Sequence, residues 1–142
     1  WTHEQDIREV LGRLGNLDSP GAATFVNGLV RSFAQLMHQV PMTDGQTVIL
    51  ESTGPVTARM GVRVSHDDAG EVTYHSLFTG ESESGMGETV HSGEDPSTTI
   101  SLSTEALTRR AAGRRATGDT AYSVVGDEDL AARVLDAIAF TP

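Results

Sequence analysis

The sequence predicts an α+β domain: a mainly antiparallel five-stranded sheet with helices packed on one face. Three observations carry that prediction. Apolar residues alternate strictly in mid-chain, at Val56, Ala58, Met60, Val62 and Val64. Apolar stripes at helical spacing lie on either side of that block, the widest running from Ala22 to Val40. Strands that follow one another, with helices set apart, favour this class over alternating βαβ units.

In chain order, residues 3–14 have Ile7, Val10, Leu11 and Leu14 at helical spacing, with Gly15 as the stop. Thr2 and Gln5 have the spacing of a capping box. Ser19-Pro20 supplies an N-cap and a first-turn proline for the second helix. That helix carries Ala22, Phe25, Val26, Leu29, Val30, Phe33, Leu36, Met37 and Val40 until Pro41 and Thr43-Asp44-Gly45 end it. Its width suits a core helix lying on a sheet.

Period-two patterning then takes over. Gln46–Glu51 is a short strand, and the alternating block puts Arg59 and Arg63 on the face opposite its core residues. Asp67-Asp68-Ala69-Gly70 is a hairpin turn into a strand over Glu71–Phe78. Gly80–Pro96 has no periodicity, four glycines and five acids, and reads as an exposed loop. Thr98–Leu102 is the fourth strand. Ser103 caps a short helix with Glu105 in its first turn, Arg109 and Arg110 in its last, and Gly113 as its stop. Thr120–Val125 is the fifth strand. Asp127 caps a final helix that buries Leu130, Val134, Leu135 and Ile138.

Composition narrows the function. The length of 142 residues fits one domain with its own core. A formal net charge of -10 argues against nucleic acid and against anionic membrane surfaces as partners. No apolar run reaches the roughly 18 residues of a membrane-spanning helix. The absence of cysteine removes thiolate chemistry and fits a cytoplasmic location. All ten basic residues are arginine, so neither a Schiff-base lysine nor a phosphate-loop lysine is present.

The five histidines, at 3, 38, 66, 75 and 91, form no HExxH or HxH pair. His38, His66, His75 and His91 read as ordinary residues of a helix end, a turn border, a strand and a loop. His3 differs, because it sits in the polar cluster His3-Glu4-Gln5-Asp6, where it can pair locally with Asp6 at i, i+3. The stretch Thr108–Arg115 holds four of the ten arginines, the most plausible receiver of an anion on so acidic a chain. Arg109 and Arg110 are accounted for by the dipole of their own helix, whereas Arg114 and Arg115 follow its stop.

Trp1-Thr2-His3-Glu4-Gln5-Asp6-Ile7-Arg8, then Leu11-Gly12 and Gly15-Asn16-Leu17-Asp18-Ser19-Pro20, resemble the junction region of actinobacterial mycothiol-dependent maleylpyruvate isomerase-like proteins. Ala112-Gly113-Arg114-Arg115, Val125-Gly126-Asp127 and the closing Val134–Pro142 are similar to the other end of that family. The resemblance implies a DinB-like metal-binding bundle followed by a domain like sterol carrier protein 2. Residues 1–15 would be the tail of the bundle's last helix, and 16–142 the C-terminal domain. His3 would then be a ligand of a divalent metal, with zinc the expected ion, its other ligands lying upstream of Trp1. Arg114 would be the arginine that this domain supplies to the active site, and Arg115 a further substrate contact. The substrate would be a small anion. Metal-activated mycothiol would add to its double bond, allow rotation and leave. This chain alone would neither hold the metal tightly nor catalyse. The alternative is a lipid- or small-molecule-binding module, with the stripe over residues 22–40 lining an apolar tunnel.

Overall fold

The computed structural model describes residues 1–78 and 97–140. The elements run α1 (Thr2–Val10), α2 (Pro20–Met37), β1 (Thr47–Thr53), β2 (Thr57–His66), β3 (Val72–Leu77), β4 (Ser97–Leu102), α3 (Thr104–Ala111), a single 3-10 turn (Thr117–Asp119), β5 (Ser123–Val125) and α4 (Glu128–Ala137). The α+β class and the five strands are as the sequence predicts. The loop expected over 80–96, with His91, lies outside the described residues.

The sheet order is β3-β2-β1-β4-β5. β1–β2, β2–β3 and β4–β5 are antiparallel, but β4 joins the far side of β1 in parallel, with Val48 opposite Thr98 and Leu50 opposite Ile100. The sheet is therefore mixed, a correction to the mainly antiparallel expectation. Hairpins between consecutive strands can only build antiparallel pairs, whereas a parallel neighbour needs a connection of about a dozen residues or more. Positions 54–96, which include β2 and β3, separate the two parallel partners, and alternation within a strand carries no record of its partner's direction.

One core unites α2, α3 and α4 with one face of this sheet. Val48, Leu50, Met60, Val62, Val64, Ile100 and Leu102 meet Leu29, Phe33 and Met37 of α2, Leu107 of α3, and Leu130, Val134 and Leu135 of α4. Arg59 and Arg63 stand on the other face, where Arg59 pairs with Glu51 at 3.0 Å and lies over the Phe78 ring. The buried residues of α2 have almost no accessible surface. Leu29, Phe33 and Met37 of its stripe belong to the core.

Several boundaries move for identifiable reasons. α1 stops at Val10 rather than near Leu14. Gly12 takes φ +62, its N–H reaches the Glu9 carbonyl at 3.1 Å, and the Arg13 N–H reaches that of Arg8 at 2.8 Å. That is a Schellman closure, and it makes Gly12 the stop in place of Gly15. The capping box is not made: Gln5 is buried, and its Nε2 donates to the Gly15 carbonyl. β5 begins at Ser123 rather than Thr120. Thr120 closes the 3-10 turn instead, its N–H bonded to Thr117 and its hydroxyl to the Ala116 carbonyl. The caps at Ser19, Ser103 and Asp127 form as expected, each side chain accepting from the backbone N–H three residues on.

Candidate functional site

The end of α3 builds the site. Gly113, at φ +69, donates to the Arg110 carbonyl, and the Arg114 N–H donates to that of Arg109. This closure turns the chain so that Arg114 and Arg115 leave the helix beside the side chain of Arg109. α1 lies against them. Arg109 donates to Asp6 Oδ1 at 2.6 Å and also to Glu9. Arg114 Nε reaches Asp6 Oδ2 at 3.2 Å, and its NH1 donates to the Ala112 carbonyl. Arg115 meets both oxygens of Glu105, at 2.8 and 3.2 Å, and stands 3.5 Å from Glu9.

The four arginines thus have three different jobs. Arg110 takes no part in the ion network with α1. It is buried and donates to the carbonyls of Leu135, Asp136 and Arg115, closing the C-terminal end of α4. Arg109 is equally buried and is the hub for the acids of α1. The sequence expectation that both merely complement the dipole of α3 is corrected: they sit in its last turn, but their guanidinium groups serve α4 and α1. Arg115 has both terminal nitrogens committed to Glu105, which holds its guanidinium above the ordinary arginine value.

His3 is brought to the same place. It is 91% exposed, and its Nδ1 lies 3.7 Å from Asp6 Oδ2, the oxygen that Arg114 contacts. Two candidates 111 positions apart in the chain therefore converge on one carboxylate. The remaining described histidines have structural neighbours: His38 stacks on Tyr74, His66 lies near Asp44, and His75 bonds Ser65. Sequence reading named Asp6 only as a local partner of His3 and missed Glu9. Their i, i+3 spacing was the available signal, but nothing in it said which arginines they would meet.

Among the described residues no group of three or more His, Asp or Glu side chains is placed to hold a metal ion. His3 with Asp6 offers at most two donors, so these residues do not make a metal centre by themselves. Two concavities lie elsewhere. One, of about 460 Å³, is lined by Glu51, Ser52 and Arg59, and the other, of about 180 Å³, by Val30, Phe33, Met60 and Phe78. Neither adjoins the cluster, which is an ion network at the surface.

The hold on α1 is mostly polar. Trp1 packs against Phe25 and donates to the Asn16 carbonyl, while Asn16 and Arg8 both bond Glu4. Arg8 first, and Asn16 with it, hold the Glu4 carboxyl below its usual value. Beyond the first turn the contacts are ionic, worth about 1 kcal/mol or less for each exposed pair. The hydrogen bond from Arg109, assisted by Arg114, holds the Asp6 carboxyl below the ordinary aspartate range, against the opposing effect of burial. A carboxyl lowered in the folded state stabilises above its unfolded value, about 3.9, and that stability is lost as pH falls through the folded value. Trp1 fluorescence is therefore expected to stay constant from neutral pH to about 4.5 and to report loosening of α1 only in more acid solution. Loosening that is complete by pH 5 would contradict the Asp6 pairing.

Comparison with protein-family models, curated proteins and solved structures returned no match.

Proposed function

We infer that this chain is the substrate-side part of a mycothiol- and divalent-metal-dependent isomerase or transferase of the maleylpyruvate isomerase type. In this reading residues 16–142 form a domain like sterol carrier protein 2, and α1 belongs with a DinB-like bundle that completes the active site. Arg114 is the anion clamp, Arg115 a secondary contact and His3 one ligand of the metal. The single observation that supports it is the meeting of His3 and Arg114 at Asp6. An anion held by Arg114 would lie beside the histidine that faces the metal.

What this chain contributes is positioning. A guanidinium offers paired N–H donors in the geometry of a carboxylate, and it keeps its charge throughout the accessible pH range. The backbone bond from Arg114 to Arg109 and the Asp6 contact limit its swing. Holding the substrate in one orientation lowers the entropic cost of reaction. The metal and mycothiol, supplied in the full-length protein, would provide the activated thiolate.

The test uses full-length protein assayed for metal content and for mycothiol-dependent isomerisation. Arg114→Ala is expected to lower kcat/KM about 100-fold, with metal and melting temperature retained, since a charge-assisted pair is worth about 1.5–3 kcal/mol. His3→Ala is expected to lose the metal. Undiminished turnover in Arg114→Ala refutes the clamp, and unchanged metal content in His3→Ala refutes the ligand.

A further inference from the structure

Away from the arginine cluster, α2 and the sheet border a pocket of about 180 Å³. Val30, Phe33 and Ala34 form its helical wall, and Met60, Leu77 and Phe78 form the wall given by β2 and the end of β3. Phe33 and Met60 are 1% and 2% exposed, so the floor of the pocket is the protein core. Phe78 is held as a wall from two sides. The Arg59 guanidinium lies 4.3 Å from its ring centroid. Gly61 gives the ring room, since a Cβ there would stand 3.2 Å from Phe78 Cε2. Arg31, one helical turn before Ala34, and Ser76 are the polar groups of the lining. Arg31 is exposed, and among the described residues no acid pairs with it, in a chain where acids outnumber bases by 20 to 10.

We propose that this pocket binds a single-ring aromatic carboxylate, with the ring between Phe33, Met60 and Phe78 and the carboxylate at the mouth on Arg31. Size, lining and charge together select that chemistry. An engineered apolar cavity of about 150 Å³ takes up benzene, so one ring fills this pocket and a long acyl chain does not. The lining removes apolar ligand surface from water, and two aromatic rings with a thioether favour an aromatic guest over an aliphatic one. The guanidinium offers paired N–H donors in the geometry of a carboxylate. The pocket shares no residue with the ion network of Arg114, so this site stands apart from the clamp.

The experiment titrates the 142-residue chain with benzoate, and with benzamide as its neutral isostere, while the methyl resonances of Val30, Met60 and Leu77 are followed. These methyl groups report only on the pocket, so an anion bound at Arg114 leaves them unmoved. Benzoate is expected to shift all three along one saturable isotherm, with a dissociation constant on the order of 1 mM for so small a ligand. Benzamide is expected to bind about 5-fold more weakly, the scale of one exposed ion pair. Arg31→Gln should bring the two ligands to equal affinity. Ala34→Leu, which fills the pocket from its helical wall, should abolish the shifts with both. Methyl resonances indifferent to benzoate overturn the site, as do shifts that persist in Ala34→Leu. A preference for benzoate unchanged in Arg31→Gln overturns the placing of the carboxylate, and hexanoate binding more tightly than benzoate overturns the selection of a ring. If Ala34→Leu does not fold, the wild-type complex decides alone: nuclear Overhauser contacts between the benzoate ring protons and the Met60 methyl support the pocket, and their absence overturns it.

Discussion

Arg110→Ala is expected to destabilise the domain by about 3 kcal/mol, seen as a lower urea midpoint at an unchanged slope. The side chain is buried, and its guanidinium donates at 2.8 Å to the carbonyls of Leu135 and Arg115 and at 3.4 Å to that of Asp136. The first and last of these belong to the final turn of α4, where helix carbonyls have no partner within the helix. Alanine removes the donors and strips the buried Leu135 carbonyl and the part-buried Arg115 carbonyl of their bonds from the guanidinium, while the Asp136 carbonyl keeps the Ala139 N–H; a hydrogen bond to a charged group is worth about 1.5–3 kcal/mol. Arg110→Lys should recover only part of the loss, because a single ammonium cannot span three carbonyls in the plane of a guanidinium. A loss below about 1 kcal/mol in Arg110→Ala would show that α4 ends without it. The neighbouring Arg114→Ala, by contrast, should affect ligand chemistry and leave stability nearly intact.

The opposite end of α4 carries the second large effect. Gly126→Ala is expected to cost about 3–4 kcal/mol and to lower the melting temperature accordingly. Gly126 has φ +124, which side-chain-bearing residues rarely adopt. A Cβ there would lie 2.6 Å from the Ser97 carbonyl oxygen and 2.9 Å from Thr98 Cα, both backbone atoms that cannot turn aside. The strain falls on the junction where Asp127 donates its N–H to Thr98 and accepts from Leu130 to start α4. The neighbouring pairing of β4 with β5 should weaken with it, visible as faster amide exchange at Ile100 and Val124. Wild-type stability in this variant would mean that the β5–α4 turn has room to move.

Much of the architecture was legible because it rests on short-range physics. The α2 stripe, the alternation of β2, the Asp67–Gly70 hairpin and the caps at Ser19, Ser103 and Asp127 all depend on residues a few positions apart. Misplaced boundaries came from competition between equally local signals. Gly12 and Gly15 could both end α1, and the Schellman bonds formed at the first. Thr120 could extend a strand or close a turn, and its hydroxyl found the Ala116 carbonyl.

The arginine stretch divides along the same line. By itself the sequence determined that four guanidinium groups gather around a helix stop at Gly113, and that Arg114 lies just beyond it. It also determined that Asp6 and Glu9 share a helical face. Only the tertiary structure decided which arginine faces which partner: Arg110 serves the carbonyls of α4, Arg109 and Arg114 meet Asp6, and Arg115 is taken by Glu105. It also decided that β4 runs parallel to β1. Periodicity and capping are set by the backbone geometry of neighbouring residues. Strand direction and ion pairing across a hundred positions are set by how whole elements pack, which no local pattern encodes.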